Sequence, residues 1–321
     1  MSINHRVTFY PPVTPYRRGH LAVDNGHEIY FEESGNRNGI PVLVIHGGPG
    51  GGSNPTMRRL HDPSRYRIIL ADQRGCGHSM PNASLVANTT WHLIDDMECL
   101  RRHLGITRWQ LVGGSWGSTL AIAYAISHPE RVSSMLLRGI FLLRRAELQW
   151  FYQQGANWLF PDAYADFEAL IPPDERSDMI RAYYKRLTST DPRTQLQAAR
   201  SWSAWEGSTL ALLQDADRIR HFSEDAYALA FSRIECHYFV NGGFLDHDNW
   251  ILDNIGRLTG IPGLIIHGRY DVVTPIRSAF DLKAGWPDAE LIVVPDAGHA
   301  MTEPGIMREI IRGTSRFAET A

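Results

Sequence analysis

One short motif, Gly113-Gly114-Ser115-Trp116-Gly117, constrains this chain more than any other feature of its 321 residues. It follows the apolar pair Leu111-Val112 and precedes residues 118–125, which have the composition of a helix. A strand, turn and helix in so few residues force the central residue into a strained backbone conformation that exposes its side chain. Glycines two residues to either side remove the Cβ atoms that would clash there. The motif therefore predicts that Ser115 is an exposed nucleophile rather than an incidental serine in a glycine-rich turn.

Short apolar runs that alternate with helical segments predict the rest of the architecture. Runs that are apolar throughout are typical of strands buried on both faces, as in parallel sheets. Before them, Asn25-Gly26 between two further strands predicts a hairpin with a type I′ turn. Residues 93–104 have apolar side chains at helical spacing, and Gly105 suits the end of that helix. The predicted buried strands contain residues 42–45, 68–71, 111–112, 135–137, 264–266 and 291–294.

The middle of the chain differs from both ends. From about residue 144 to residue 254 the buried-strand pattern stops, and aromatic residues become frequent. We interpret this stretch as a mainly helical insertion between two parts of one sheet. The fold class is therefore α/β, an α/β-hydrolase fold with a mostly parallel central sheet and an inserted helical cap domain. Its expected divisions are core residues 1–143, cap residues 144–256 and core residues 257–321.

A serine nucleophile needs a base, because its hydroxyl reacts poorly at neutral pH. In α/β-hydrolases the acid and the histidine follow the serine in the chain, in that order, on loops after the last strands. Asp271 and His299 each follow one of the last two apolar runs, and we expect them to form a catalytic triad with Ser115. His267 is instead expected to be buried at a strand end. Asp296 is too close to His299 in sequence to reach it from a separate strand.

The glycine-rich residues 46–52 follow another predicted strand, where this fold builds part of its oxyanion hole. We expect the backbone N–H groups of Gly48 and Trp116 to bind the oxyanion, since Pro49 has no N–H to donate. The run lacks the Gly-Lys-Ser/Thr ending of a phosphate-binding loop and the spacing of a dinucleotide motif. His46 is expected to support the loop through hydrogen bonds.

Composition narrows the class of function. A net charge of −3 offers no basic face for nucleic acid or anionic lipid, and no run approaches the length of a membrane span. The three cysteines are far apart and suit a reducing compartment. The first residues lack the apolar run of a signal peptide, so a cytoplasmic location is expected. Adjacent residues of the Asp246-His247-Asp248 run would not all face one ion, so no metal is expected there.

Five motifs together resemble the proline iminopeptidase family of α/β-hydrolases. The resemblance extends over nearly the whole chain. It implies removal of N-terminal proline from peptides, which would be the partners of this protein, with no metal and no cofactor. The sequence itself indicates no oligomeric state. The motifs are residues 46–52, 72–77, 88–91, 113–119 and 137–141.

The resemblance also implies which residues recognise the substrate. Glu206 and Glu235 look like the family's site for the free amino end, and a carboxylate shielded from water binds an ammonium group strongly. Phe141 and Phe239 look like the walls of a small apolar pocket for the proline ring. A neighbouring aromatic, for which we take Tyr152, is expected to join them, although each aromatic suits an ordinary core as well.

Some positions depart from the family pattern. Thr274 stands where the family often has a cysteine just after the catalytic aspartate, and His78 and Asn82 are also unusual. These differences concern fine specificity rather than the triad. Two alternatives stay open: an esterase or amidase of broader specificity, because the fold accepts many substrates, and a non-catalytic binding protein on the same scaffold.

Overall fold

The computed structural model describes residues 8–213, 220, 222 and 224–320. Its strands form one 8-stranded sheet in the order β1-β2-β4-β3-β5-β6-β7-β8. The first two strands pair antiparallel with their neighbours, and all other pairs are parallel. The strands are β1 (Arg17–Ala22), β2 (Glu28–Gly35), β3 (Ile40–Ile45), β4 (Tyr66–Ala71), β5 (Trp109–Ser115), β6 (Val132–Ile140), β7 (Gly263–Gly268) and β8 (Ala289–Val294).

The predicted hairpin is present. Leu21 of β1 is paired with Ile29 of β2, and the N–H of His27 donates to the carbonyl of Asp24 across the turn. Asn25 has φ 53° and Gly26 has φ 74°, which are the positive values that a type I′ turn requires.

Helices cover both faces of the sheet. Adjacent residues of β3 point to opposite faces, so that Leu43 packs with α1 and α2, and Val44 packs with α10. This two-sided burial explains why the parallel strands are apolar throughout. The helices whose bounds lie within the described residues are α1 (Thr90–His103), α2 (Trp116–Ser127), α3 (Arg145–Tyr152), α4 (Pro161–Ala169), α5 (Met179–Leu187), α6 (Pro192–Thr209), α7 (Asp225–Val240), α8 (Trp250–Asn254), α9 (Arg277–Gly285) and α10 (Pro304–Glu319).

The segment between β6 and β7 contains helices α3 to α8, and α6 packs against both α5 and α7. Stacked aromatic rings fill its interior. The rings of Tyr152 and Trp202 lie 4.4 Å apart, as do those of Phe167 and Tyr183. Trp158 differs, since 76% of its surface is exposed. The predicted fold class is confirmed by the order of the strands, by the helices on both faces of the sheet and by this insertion. The limits given for the three domain segments stay a prediction.

None of the helices within the described part of the chain combines the length and the apolar character that crossing a membrane requires.

Candidate active site

Ser115 lies at the turn between β5, which it ends, and α2, which begins at the next residue. Its φ of 58° and ψ of −131° are strained for a residue with a side chain. Gly113 and Gly117 permit this turn, because a Cβ at Gly113 would lie 2.2 Å from the carbonyl oxygen of Gly117. A Cβ at Gly117 would lie 2.3 Å from the carbonyl oxygen of Ile45. The serine thus has the strained backbone that the motif predicts, and its side chain is half-buried and lines a cavity rather than lying fully exposed.

Asp271 and His299 are joined by a direct hydrogen bond. Nδ1 of His299 lies 2.7 Å from Oδ2 of Asp271, and both side chains are buried. Burial raises the pKa of Asp271, but the charge and hydrogen bond of His299, with smaller contributions from His267, outweigh it and leave that pKa below its ordinary value. Asp271 is therefore an anion that accepts the proton on Nδ1. Nε2 of a neutral His299 is then free to accept another proton.

These two residues follow different strands and lie at the same edge of the sheet as the serine. Asp271 follows β7, and His299 follows β8. Ser115 and His299 line one cavity of about 840 Å³, together with Gly47 and Gly48. The structure therefore brings the three residues of the predicted triad to one edge of the sheet, and their catalytic roles stay a prediction.

The glycine-rich loop after β3 borders the serine. A Cβ at Gly47 would lie 3.2 Å from the carbonyl oxygen of Gly114 and 3.4 Å from the Cβ of Ser115, so the loop passes in close contact with the serine turn. Gly48 has φ 108°, and a Cβ there would lie 2.7 Å from the backbone nitrogen of Gly50. Trp116 begins α2, and its indole N–H donates to Oε1 of Gln73 over 2.8 Å. The two predicted oxyanion donors therefore flank the serine on separate elements.

His46 has a structural place in this loop. Its Nε2 accepts a hydrogen bond from the backbone N–H of Gln73 over 3.0 Å, so the proton of the neutral ring is on Nδ1. That nitrogen donates to the carbonyl oxygen of Gly47 over 2.9 Å. Burial lowers the pKa of His46, which keeps the ring neutral. His46 thus connects the loops after β3 and β4, as expected of a supporting residue.

Two carboxylates from the insertion line the same cavity as the serine. Glu206 of α6 and Glu235 of α7 are 5% and 3% exposed. The Tyr152 hydroxyl donates to Glu206, and the Trp202 indole N–H donates to Glu235 over 2.7 Å. In the described part of the chain neither carboxylate has an ion-pair partner. Buried carboxylates without a cation are costly, which makes them suitable for binding a cationic ligand.

The electrostatics of this pair follow from burial and proximity. Burial raises the pKa of Glu206 from 4.5 to about 7, against the lowering effect of the hydrogen bond from Tyr152. Burial, and then the charge of Glu206, raise the pKa of Glu235 well above its ordinary value. Because the charge of one carboxylate disfavours the charge of the other, the two groups resist being ionised together.

The predicted aromatic residues also meet here. The rings of Phe141 and Phe239 are in edge contact with centroids 5.7 Å apart, and Tyr152 lies 5.6 Å from Phe239. All three line a small pocket beside Ser115, which also includes Glu206. The structure therefore joins the apolar pocket to the carboxylate pair. Their role in binding stays a prediction.

The sequence did not reveal how three residues contact the predicted triad. The Thr274 hydroxyl lies 3.0 Å from Oδ2 of Asp271, and Nη1 of Arg138 donates to the carbonyl oxygen of His299 over 2.9 Å. His267 is buried in β7, as expected, but its Nε2 also lies 3.4 Å from Oδ2 of Asp271. A buried histidine or arginine inside an apolar strand is the signal that could have directed attention to two of them.

The described residues contain no group of three or more His, Cys, Asp or Glu side chains arranged to hold a metal ion. In the Asp246-His247-Asp248 run, Asp248 accepts a hydrogen bond from the backbone N–H of Arg145 over 2.6 Å.

A family model and several known proteins match most of this chain. A family model described as alpha/beta hydrolase fold matches residues 40–305. A proline iminopeptidase of Xylella fastidiosa (strain Temecula1 / ATCC 700964) is 55% identical over 97% of this chain and 99% of its own length. One of Arabidopsis thaliana is 50% identical over 96% of this chain and 81% of its own. One of Neisseria gonorrhoeae is 45% identical over 93% and 95%, respectively.

Solved structures resemble the chain at lower identity. An esterase from a Rhodococcus species has a TM-score of 0.63 at 18% identity and covers 97% of this chain and 99% of its own. A bromoperoxidase from Bacillus anthracis has a TM-score of 0.64 at 17% identity, over 95% and 100%. At this level of sequence identity, similarity to a solved structure shows the fold alone.

Proposed function

This chain belongs to the proline iminopeptidases of the α/β-hydrolase family, and from that premise we propose how its residues release an N-terminal proline from a peptide. It is a serine exopeptidase, and we assign Ser115 as nucleophile, His299 as general base and Asp271 as the acid that orients the base. Glu206 and Glu235 bind the substrate's amino group in this proposal.

The observation that carries the proposal is the buried carboxylate pair beside the serine. An endopeptidase or a simple esterase has no need for two carboxylates, Glu206 and Glu235, in a cavity with its nucleophile. An enzyme that accepts only free amino ends needs them, since an ammonium group between the two removes their mutual repulsion. The amine of an N-terminal proline is a secondary ammonium on a small ring. The aromatic pocket around Phe141, Phe239 and Tyr152 offers apolar walls for that ring.

Acylation follows from the geometry of the triad. With Nδ1 of His299 donating to Asp271, Nε2 of His299 takes the proton of the Ser115 hydroxyl as its oxygen attacks the proline carbonyl carbon. The developing oxyanion accepts hydrogen bonds from the N–H groups of Gly48 and Trp116, each worth about 2.7–4 kcal/mol in the transition state. The tetrahedral intermediate collapses when Nε2 returns the proton to the leaving nitrogen and the C–N bond breaks.

Deacylation repeats the same steps with water. His299 takes a proton from the water as its oxygen attacks the prolyl ester, and then returns a proton to the Ser115 oxygen as proline leaves. Asp271 stays ionised throughout and holds the imidazole in one tautomer. The carboxylates and the aromatic rings of the insertion close the site behind the amino end, so a residue before the proline has no room.

A substrate panel tests the proposal. Wild type is expected to hydrolyse proline arylamide and to be nearly inactive on N-acetylproline arylamide and on a simple aryl acetate. Glu206→Gln is expected to raise KM for proline arylamide by about tenfold to a hundredfold, since a hydrogen bond to a charged group contributes about 1.5–3 kcal/mol. Glu168→Gln is the matched control, because Glu168 lies on α4 in a partly exposed ion pair with Arg176.

Preference for the acetylated arylamide or for the aryl acetate would support the broader esterase or amidase instead. A Glu206→Gln enzyme that matches wild type on proline arylamide would remove Glu206 from amine binding. Failure of a fluorophosphonate probe to label Ser115 would support the non-catalytic binding protein.

We further propose a cytoplasmic location and no nucleic-acid partner. Cys76, Cys99 and Cys236 are free thiols, as suits a reducing compartment, and the net charge of −3 is unfavourable for phosphate backbones. Cell fractionation followed by immunoblotting tests the location, and enrichment outside the cytosolic fraction would contradict it.

A further inference from the structure

Thr274 contacts the carboxylate of Asp271 twice. Its backbone N–H donates to Oδ1 over 2.8 Å, and its hydroxyl donates to Oδ2 over 3.0 Å. The same Oδ2 accepts the hydrogen bond from Nδ1 of His299, which lies 3.2 Å from the Thr274 hydroxyl oxygen. Thr274 is 2% exposed, so these hydrogen bonds lie in a buried part of the site. The two contacts fix both the position and the plane of the carboxylate.

His267 binds the backbone of Thr274, and the ring nitrogen of His267 that carries the proton can be assigned. The backbone N–H of Ile140 donates to Nδ1 of His267 over 3.1 Å, so Nδ1 is the acceptor and the proton of the neutral ring is on Nε2. Nε2 donates to the carbonyl oxygen of Thr274 over 2.8 Å. Burial lowers the pKa of His267, which favours this neutral form. One run of donated hydrogen bonds therefore leads from Ile140 through His267 and Thr274 to Asp271.

We propose that Thr274 is a positioning residue for catalysis, whose hydroxyl orients the Asp271 carboxylate toward His299, and that His267 fixes Thr274 for this task. The proposal rests on the proposed function, since it assumes that His299 is the general base. Thr274 also lines the aromatic pocket beside Ser115. Its hydroxyl thus acts on the triad, and its methyl group contributes to the wall of the substrate pocket.

Loss of the Thr274 hydroxyl is expected to shift the pH dependence of catalysis in one direction. Asp271 is faced by His299 from the loop after β8, by His267 from β7 and by the charge of Arg138 from β6. Without the Thr274 donor the carboxylate loses one hydrogen bond to its anionic form, and the Asp271–His299 pair holds its proton more tightly. The acidic limb of kcat/KM is then expected to move to higher pH.

Wild type and three variants at position 274 separate the effect of the hydroxyl on the triad from the effect of the methyl group on the pocket. Thr has both groups, Thr274→Ser keeps only the hydroxyl, Thr274→Val replaces the hydroxyl by a second methyl group, and Thr274→Ala lacks both. Each protein is assayed on proline arylamide across pH for kcat and KM, and circular dichroism and thermal unfolding check the fold. If Thr274→Val does not fold, the smaller pair of Ser and Ala still isolates the hydroxyl.

The hydroxyl and the methyl group are expected to affect different kinetic constants. Thr274→Val and Thr274→Ala lower kcat by about tenfold to a hundredfold and move the acidic limb upward, whereas Thr274→Ser retains wild-type kcat and pH profile. Thr274→Ser and Thr274→Ala raise KM for proline arylamide, whereas Thr274→Val leaves it near wild type. Wild-type kcat and pH profile in Thr274→Val, or a loss of kcat in Thr274→Ser as large as in Thr274→Ala, would overturn the proposal. Wild type without activity on proline arylamide would instead refute the proposed function.

Discussion

The backbone N–H of His299 donates a hydrogen bond of 3.1 Å to the carbonyl oxygen of Leu210. Leu210 is the C-terminal cap of α6, the helix that carries Glu206. The residue assigned as general base is therefore held by the same helix that presents a carboxylate to the substrate's amine. Displacement of α6 would disturb amine recognition and the position of the imidazole together.

The next peptide group, which contains the carbonyl of His299, is held by Arg138, whose guanidinium donates to that carbonyl oxygen. Arg138→Met keeps most of the side-chain volume and loses this bond. We expect kcat/KM to fall about tenfold or more, since a hydrogen bond from a charged donor contributes about 1.5–3 kcal/mol. Steady-state kinetics on proline arylamide measure the effect. Arg277→Met is the control, because Arg277 is 82% exposed on α9, and equal kinetics in the two variants would contradict the assignment.

Gly139 is a second position where the backbone makes room for the imidazole. Its φ is 51°, and a Cβ there would lie 2.8 Å from Cε1 of His299. Gly139→Ala is expected to displace the imidazole and lower kcat by about a hundredfold or more, since a misplacement near 1 Å has effects of this size. Gly105→Ala is a matched control, because Gly105 also has a positive φ but open space around it. Kinetic assays measure kcat, and circular dichroism checks that each variant is folded. A Gly139→Ala enzyme with wild-type kcat would contradict this prediction.

The carboxylate pair predicts a dependence of stability on pH. The pKa of Glu206 is raised to about 7 in the folded protein, so between its ordinary value and pH 7 the folded state binds more protons than the unfolded state. The contribution of Glu206 to stability is therefore present at acidic pH and is lost as pH rises through about 7. Gln resembles the protonated form and does not titrate.

Glu206→Gln is accordingly expected to be more stable than wild type at pH 8, by on the order of 2 kcal/mol, and nearly equal to it at pH 5. Urea unfolding at the two pH values measures the difference, with Glu168→Gln as the control. A variant that is less stable than wild type at pH 8 would contradict a raised pKa of Glu206 in the folded protein.

The local parts of the site could be predicted from the sequence. The turn at Ser115 depends on glycines only two residues away, and the strand, turn and helix are read from about a dozen neighbouring residues. The hairpin at Asn25-Gly26 has the same local character. Asp271 and His299 follow apolar strands, so their placement at one sheet edge follows from parallel pairing.

Side-chain contacts inside the site could not be predicted in this way. Thr274 was interpreted only as a departure that concerns fine specificity, because nothing in the sequence shows that its hydroxyl turns back toward Asp271. Arg138 lies in an apolar strand 161 residues from His299, its hydrogen-bond partner. The bond from His299 to Leu210 depends on how α6 lies against the core, which side-chain packing decides.

The most direct test of the account is acid quenching of wild type and Ser115→Ala during turnover of an activated proline ester, followed by peptide mass spectrometry. In wild type, a prolyl group is expected on the peptide that contains Ser115. In Ser115→Ala, neither adduct nor turnover is expected, with an unchanged circular dichroism spectrum. Turnover at the wild-type rate by Ser115→Ala, or a prolyl group on another residue of the wild-type enzyme, would contradict it.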